Sequence, residues 1–430
     1  MHILYVHQYF ATRSGFTGTR SYEFSRELIA RGHRVTMITS GRDNAPEMTC
    51  PPGRSSIETT VDGIRVVAVA AGYNNPLHGT GKGGLRRMVE FVSFAAHAAA
   101  VGRTLPRPDV IYATHTPLPV GLAGGELAAW HAAPFVFEVR DVWPDALVNI
   151  GALRNPAVIG WLSNMALRAY GMADHIVALS PGMKAGVVAA GVLESKVTVI
   201  PNGCDLSLFR PDRDGRAARA RLGLDSGFVA TYFGAMGRAN GLNYVLDAAA
   251  ELQRRGVRDI TLVLHGDGGE RTALRARAAE MNLRNVVFSD PVPDKSVVAD
   301  LVAGSDACLT IYAATQKEQS WSPNKMFDAL AGGRPVLVNV PGWLGETIES
   351  AQAGRYVDPA RPAALADALV ALANRPDRGA ALGAAARRLA EREFARERLA
   401  DRLERVLTDA VARHAGRERT AAIASESAHE

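Results

Sequence analysis

The densest run of chemically capable residues is Glu318-Gln-Ser-Trp-Ser-Pro-Asn-Lys-Met-Phe-Asp-Ala-Leu-Ala-Gly-Gly-Arg-Pro-Val-Leu337. A polar loop carrying Ser320, Ser322 and Asn324 enters a predicted helix at about Pro323; the helix ends at Gly332-Gly333 and a strand begins with Pro335. Free amides and the positive dipole end at such a helix start favour phosphate. Lys325 falls in the first turn, where a cation opposes the dipole, and a bound anion would explain it. Asp328 lies three residues on, on the same helical face, and can accept hydrogen bonds from ribose hydroxyls.

Three other loops carry related signals. In Phe233-Gly-Ala-Met-Gly-Arg-Ala-Asn-Gly-Leu242, Gly237 and Arg238 occupy a glycine-rich strand-to-helix turn, with the guanidinium aimed where a diphosphate would rest. His265-Gly-Asp-Gly-Gly269 ends the next strand, and Gly266, Asp267 and Gly268 would let a nucleoside approach the backbone. Arg13-Ser-Gly-Phe-Thr-Gly-Thr-Arg20 opens the first helix with Gly15 and Gly18, whose amides could meet an anion. Each of these could equally be a tight turn. The last is not G-x-G-x-x-G, and the second strand ends in Thr39-Ser-Gly-Arg42 with no acid for a ribose, which argues against NAD. A fourth cluster is Phe137-Glu-Val-Arg-Asp-Val-Trp-Pro144, where Glu138, Arg140 and Asp141 crowd the end of an apolar strand. Three charges there must pair or face a cleft. Either a structural Arg–Asp pair or a functional site satisfies that.

These loops are positioned by an almost unbroken alternation of strands and helices. Strands are predicted at 2–9, 35–40, 63–70, 109–115, 134–140, 175–180 and 196–201, with helices at about 18–31, 84–102, 118–132, 156–171 and 181–190. Leu206-Ser-Leu-Phe-Arg-Pro-Asp-Arg-Asp-Gly215 reads as a linker, after which strands recur at 228–234, 260–265, 286–289, 306–312 and 335–340. Helices are predicted between them at about 242–255, 269–282, 295–303, 324–332 and 344–351. From 361 the pattern is helical only, ending in Leu382–His414 and a non-periodic tail. The pattern predicts an α/β protein of two doubly wound, parallel-sheet domains, 1–205 and 206–394, with ligands at the carboxyl ends of the strands.

Composition narrows the class. The 430 residues suit two domains, and 47% hydrophobic with 22% charged residues is a globular balance. Cys50, Cys204 and Cys308 form no C-x-x-C pair, so neither a disulfide framework nor a zinc site is expected. The start, Met1-His-Ile-Leu-Tyr-Val, has no basic n-region or cleavage site, so no signal peptide is expected and the cytoplasm is the expected location. The net charge of +5 suits an anionic partner, but the basic residues are dispersed without interleaved aromatics, so nucleic acid is not expected. No D-x-D is placed for a metal, Asp212-Arg-Asp214 falling in the linker, and no catalytic triad is found. The apolar run Met88–Val101 is too short to span a bilayer; it reads either as a helix covering the first sheet or as an interfacial helix whose Arg86 and Arg87 touch anionic lipid.

Taken in order, Gly32-His-Arg-Val-Thr, Phe137-Glu-Val-Arg-Asp-Val-Trp-Pro, Leu179-Ser-Pro-Gly, Ile200-Pro-Asn-Gly-Cys-Asp, Gly241-Leu, His265-Gly-Asp-Gly and Ser322-Pro-Asn-Lys-Met-Phe-Asp-Ala-Leu-Ala-Gly-Gly-Arg-Pro-Val resemble glycosyltransferase family 4. The resemblance spans about residues 1–410 and is nearest to the bacterial surface-polysaccharide branch with fucosamine-transferase-like members. It implies a retaining, metal-independent enzyme of the GT-B fold, with a cleft between two Rossmann-like domains and no cofactor. The donor, a nucleotide-sugar expected to carry UDP, is held mainly by the C-terminal domain. The acceptor, a glycan, lipid-linked or small-molecule hydroxyl, is held mainly by the N-terminal one, with peripheral contact at the cytoplasmic membrane face. A last helix, about 395–414, returns to the first domain, and 416–430 form a tail without order. The residues implied in catalysis are Arg140, Asp141, Arg238 and Lys325, and the leaving diphosphate itself helps deprotonate the acceptor. The chain departs from the family at several places. The acidic pair spaced E-x7-E falls on Ser320 and Asp328, and the Arg and Lys around the diphosphate turn fall on Ala235 and Asn240, leaving their job to Arg238 and Lys325. The His-Asp after the fifth strand reads Arg140-Asp141. The alternatives are a non-catalytic sugar-nucleotide-binding subunit and a GT-B epimerase.

Overall fold

A computed structural model describes residues 1–13, 19–42, 44–72, 84–149, 151, 153–224, 226–292, 294–314 and 321–427. The chain divides into two compact units, Met1–Pro201 with Leu399–Glu430, and Asn202–Arg398. In the first, the elements are β1 His2–Val6, α1 Arg20–Ala30, β2 Arg34–Ser40, β3 Ser56–Val61, β4 Ile64–Val69, α2 Gly84–Gly102 and β5 Val110–Thr114. They continue as α3 Pro119–His131, β6 Phe135–Val139, α4 Asp145–Asn149, α5 Pro156–Met172, β7 His175–Ala178, α6 Pro181–Ala189 and β8 Val197–Val199. The strands order as β3-β4-β2-β1-β5-β6-β7-β8. β1, β5 and β6 are buried along their whole length, which is why they read as continuous apolar runs. All pairs are parallel except β3–β4, an edge hairpin turned by Asp62-Gly63, both at positive φ. β3 has no counterpart in the predicted strands: its Ser-Ile-Glu-Thr-Thr-Val is half-exposed and carries no apolar run.

One face of this sheet is covered by α2, α3, α5 and α6, whose Phe91, Leu127, Leu162 and Val187 share a core with Leu4, Ile111 and Phe137. α2 is thus a core helix. The other face is covered by α1 and by the last helix, α15 Arg396–Ser427.

The second unit contains α7 Arg216–Arg221, β9 Phe228–Phe233, α8 Asn243–Arg254, β10 Ile260–His265, α9 Arg271–Glu280, β11 Val286–Ser289 and α10 Lys295–Ala303. β12 Ala307–Thr310, α11 Asn324–Ala331, β13 Val336–Val338, α12 Trp343–Ser350, β14 Gly354–Tyr356, α13 Pro362–Ala373 and α14 Pro376–Leu389 complete it. Its strands, ordered β11-β10-β9-β12-β13-β14, are all parallel. β14 also escapes the sequence pattern, being three residues long, and its Gly354 packs where a Cβ would meet the Val336 carbonyl oxygen at 1.9 Å.

The helix predicted over Leu382–His414 is broken. After α14 comes a π turn, Ala390–Phe394, and Ala395 is extended. There the chain is pinned by Cys204, whose N–H donates to the Phe394 carbonyl (3.0 Å) and whose carbonyl accepts from Arg396 N–H (3.2 Å). α15, Arg396–Ser427, follows, and Leu399, Leu403, Val406, Leu407 and Ala410 form its buried stripe. Its backbone stays helical to Ser427, past the point where the sequence predicts a tail without order. Residues 417–427 lack an apolar period but contain neither Gly nor Pro, and Arg, Glu and Ala sustain a helix on propensity. No helix among the described residues is long and apolar enough to cross a membrane.

Candidate functional site

In doubly wound sheets, ligands gather where the strand order reverses. Here that is between β9 and β12 in the second unit and between β1 and β5 in the first.

In the second unit the loops after β9 and β10 are stitched together. Gly234 N–H donates to His265 O (3.0 Å), Met236 N–H to Asp267 O (2.7 Å) and Glu270 N–H to Met236 O (2.9 Å). Gly266 and Gly268 have φ of +140° and +153°, and Cβ atoms there would lie 2.0 Å from Gly234 O and 2.5 Å from Met236 O. The structure therefore uses these glycines for loop-on-loop packing, whereas the sequence suggested access for a nucleoside. Asp267 is exposed and accepts from Gly268 N–H at 2.8 Å. Gly237 heads a 3-10 turn over Arg238–Asn240, its N–H held by Asn240 Oδ1 at 3.3 Å. Arg238 extends into solvent, with its side chain 94% exposed and Nε 3.5 Å from Glu270 Oε1.

Lys325 lies at the start of α11 and runs beneath the same turn: a Cβ on Gly234 would sit 3.2 Å from its Cε. Its Nζ donates to Tyr232 Oη at 2.7 Å and lies 4.0 Å from the Tyr232 ring centroid and 5.5 Å from that of Tyr312. Tyr232 Oη in turn donates to Ala235 O at 2.6 Å. Among the described residues no carboxylate pairs with Lys325, and burial pushes its pKa down to about 7. Pro323 gives α11 no side-chain cap, and Asn324 opens it half-buried. Trp321 stacks on Tyr312, with centroids 4.4 Å apart and planes at 26°.

Asp328 and Lys325 share α11 but not partners. Asp328 is buried, with Oδ2 3.7 Å from Lys295 Nζ and Oδ1 without a hydrogen-bond partner among the described residues. Burial raises its pKa against the pull of Lys295 and Arg396. Ser322 is committed to the loop: its Oγ accepts from Asn202 N–H (2.9 Å) and its carbonyl from Asn202 Nδ2 (2.7 Å). Gly15, Gly18 and Ser320 lie outside the described residues.

In the first unit the charged trio separates. Glu138 is fully buried and serves the scaffold: it accepts from Arg20 Nε (2.9 Å), Tyr112 Oη (2.5 Å) and Thr114 Oγ1 (3.2 Å). Burial alone would raise its pKa; Arg20 outweighs that and holds the carboxyl below its usual value. The remaining Arg20 donors reach Pro201 O (2.6 Å) and Ile200 O (2.9 Å). Arg140 and Asp141 are half-buried at the carboxyl edge. Arg140 Nη1 lies 3.4 Å from His7 Nε2, and Asp141 Oδ2 accepts from Thr116 Oγ1 at 3.3 Å.

Two histidines join this group without having been singled out in the sequence. His7 follows β1 and bonds Ser21 Oγ through Nδ1 at 2.8 Å. His115 follows β5, buried in a T-shaped contact with Trp143, ring centroids 5.3 Å apart, with neither ring nitrogen hydrogen-bonded among the described residues. Burial, with Arg140 beyond it, pushes His115 down to about 3 and holds His7 well below its ordinary value. Both imidazoles are neutral at pH 7. Their signal was positional, a histidine directly after each of the two strands that flank the switch point.

Comparisons with known proteins follow the same division. Residues 17–203 match the family described as "Glycosyl transferase 4-like domain", and 227–375 match "Glycosyl transferases group 1". A D-inositol 3-phosphate glycosyltransferase of Rhodococcus opacus is 34% identical over 50% of this chain, a match that spans about half, 48%, of that relative's length. The protein of the same name from Rhodococcus erythropolis is 29% identical over 88% of this chain and 82% of its own. The crystal structure of Anabaena HepE in complex with UDP has a TM-score of 0.70 at 18% identity, covering 95% of this chain and 100% of that one. Two sheets of doubly wound order, each under its own half of a glycosyltransferase match, make the chain a member of glycosyltransferase family 4 with the GT-B fold.

Proposed function

We propose that the protein moves a sugar, with retention of configuration and without a metal ion, from a nucleotide-sugar to a hydroxyl of a glycan or lipid-linked glycan at the cytoplasmic membrane face. Lys325 carries this reading: an ammonium without an acidic partner among the described residues, at an uncapped helix start beneath a glycine turn, is electrostatically incomplete until an anion arrives. In the proposed assignment Lys325 and Arg238 hold the diphosphate, and Asp328, whose Oδ1 has no hydrogen-bond partner among the described residues, takes the ribose. Gly237, Gly266, Asp267, Gly268, Ser320, Ser322 and Asn324 shape the rest of the donor site. Gly15 and Gly18 are assigned to the donor as well, while Arg140 and Asp141 serve the sugar and acceptor side, with neutral His115 as a further hydrogen-bonding group there.

UDP is the proposed nucleotide; Anabaena HepE is solved with it. An N-acetylated deoxysugar or hexosamine is the proposed sugar. Rate enhancement comes from positioning and from stabilising charge as the diphosphate leaves, so no protein nucleophile is needed. Ser320 in place of the first acid of the family pair favours one rival, a nucleotide-sugar-binding subunit without turnover. UDP release measured across a UDP-sugar panel, with and without lipid-linked and soluble acceptors, separates the two. Acceptor-dependent release with an unchanged anomeric configuration supports transfer. Donor binding without release under any pairing overturns it.

A further inference from the structure

In the second unit a lysine opens a helix twice, where a cation opposes the dipole: Lys325 in the first turn of α11 and Lys295 as the first residue of α10. The proposed diphosphate site accounts for Lys325 and leaves Lys295 without a role. α10 starts where it does because Asp294 caps it, Oδ1 accepting from Ser296 N–H and Oδ2 from Ser296 Oγ, both at 2.8 Å. The cap is complete without the lysine that follows. The Lys295 side chain is nonetheless drawn inward, only 26% exposed, with Nζ 3.7 Å from Asp328 Oδ2 and 5.9 Å from the centroid of the buried Phe209 ring. An ammonium taken this far out of water needs a counter-charge, and among the described residues Asp328 is the one acid within ion-pair range of it.

The pair leaves the two oxygens of Asp328 in different states. Oδ2 meets Lys295, whereas Oδ1 is buried without a hydrogen-bond partner among the described residues. A buried carboxylate oxygen in that state is incomplete until a donor arrives, and a ribose hydroxyl is such a donor. Ionised, the carboxyl group only accepts; protonated, it gives up part of that capacity to its own O–H. Burial favours the protonated form, and the groups that face the carboxyl group decide the balance. Lys295 on α10 pulls hardest toward the charged form, Arg396 at the start of α15 adds to it, and Asp205 opposes them. Arg396 Nη1 already pairs with Asp205 Oδ2 at 3.3 Å, so their effects on Asp328 largely cancel. Cys204, also facing Asp328, is buried and its thiol is pushed up, so it stays neutral. Lys295 is left as the charge that matters.

We propose that Lys295 is a positioning residue for the donor: resting against Phe209, it fixes one oxygen of Asp328, keeps that carboxylate charged and leaves the other oxygen to the ribose hydroxyls of the nucleotide. It acts through Asp328 and touches no reacting atom. The inference rests on the reading of Asp328 as the ribose acid, and it deepens that reading by naming the group that lets a buried carboxylate serve there.

The test is calorimetric titration of the full chain with UDP and with 2′,3′-dideoxy-UDP, which lacks both ribose hydroxyls, in the wild type, Lys295→Met and Lys295→Arg. The wild type should prefer UDP. Lys295→Met should bind UDP roughly tenfold more weakly, yet bind the dideoxy compound as the wild type does. Its UDP deficit should grow as pH falls from about 8 to about 6, because acid neutralises Asp328 sooner once the lysine is gone. Lys325 is present in both proteins, so its own titration cancels in that ratio. Lys295→Arg, which keeps the charge, should restore most of the UDP preference and flatten the pH trend. Melting temperature establishes that each variant is folded, and Lys295→Gln takes the place of Lys295→Met if the latter is not. Equal weakening of both ligands makes Lys295 scaffolding and overturns the proposal, as does a UDP preference that survives intact in Lys295→Met. A wild type that binds the two ligands alike strikes Asp328 as the ribose acid and takes the proposal with it, so the wild type alone tells the two failures apart.

Discussion

Replacing Lys325 with methionine should weaken the ligand complex while leaving the unliganded protein as stable or more so. Among the described residues the ammonium has one hydrogen bond, to Tyr232 Oη, and burial has taken its pKa from 10.5 to about 7. Between those two values the unfolded chain holds a proton that the folded chain lacks, so unliganded stability rises with pH across that window. Methionine keeps an apolar stem of similar reach and removes the titration. Its melting temperature should match or exceed wild type near pH 7, and the rise toward alkaline pH should shrink. The ligand acts in the opposite sense, because a diphosphate favours the charged ammonium. A charge-assisted hydrogen bond is worth about 1.5–3 kcal/mol, so the variant's Kd for UDP should be roughly ten- to a hundredfold weaker. In the wild type, UDP binding should take up a proton and weaken above pH 7 by up to about tenfold per unit, until the complex itself titrates. Calorimetry in buffers of different ionisation enthalpy measures affinity and proton uptake together. Equal UDP affinity in the variant, or wild-type binding independent of pH between about 7 and 9, refutes the assignment of this lysine to the phosphate.

Asp141→Asn should preserve melting temperature and UDP binding yet lower turnover at least about tenfold, near 1.4 kcal/mol in the transition state; a large drop in melting temperature with normal turnover would make Asp141 scaffolding instead. Glu138→Gln leaves the Arg20 guanidinium buried without its counter-charge and should cost about 3–5 kcal/mol of stability by denaturant titration. Because the folded pKa of Glu138 is depressed, its contribution is present above the unfolded value near 4.5 and is lost as pH falls through the folded one, so the variant's deficit should narrow in acid. Sugar transfer should survive exhaustive chelation; complete loss with EDTA, restored by magnesium or manganese, would contradict metal independence.

How much of this was legible in the sequence depends on the range of the interaction concerned. Strands buried along all or nearly all of their length, such as β1 and β9, announce themselves because both faces must be apolar, and the two βα series followed from that. β3 and β14 did not, since edge strands need only one apolar side and β14 is three residues long. The break between α14 and α15 leaves no mark in the helical periodicity, because the residue that pins it, Cys204, lies 190 positions upstream; only the family resemblance starts a separate last helix at about 395. Lys325 stood out locally, a lysine where the dipole disfavours one, and the structure leaves it without an acid among the described residues. Glu138 misled for the opposite reason. Its neighbours Arg140 and Asp141 suggested a cluster, while its true partner, Arg20, is 118 residues away. The paired glycines 266 and 268 were recognised as needing close backbone approach, but what approaches is the Gly234–Met236 turn.

The place of α15 bears on how the protein is made. Leu399, Leu403 and Leu407 cover a face of the first sheet that includes Ile3, Tyr5, Val110, Tyr112 and Val136, so these strands are finished by residues that follow the whole second unit in the chain. At about 5–20 residues per second, some 10–40 seconds separate Pro201 from Leu399 on the ribosome. Through that interval the first sheet has only α1 on this side, and its apolar strands are open to chaperones and to other nascent chains. The second unit, contiguous from Asn202 to Arg398, has all its strands and helices synthesised before the first unit receives its last cover. The order of completion therefore runs against the order of synthesis, and the N-terminal half depends on the last helix for a closed core.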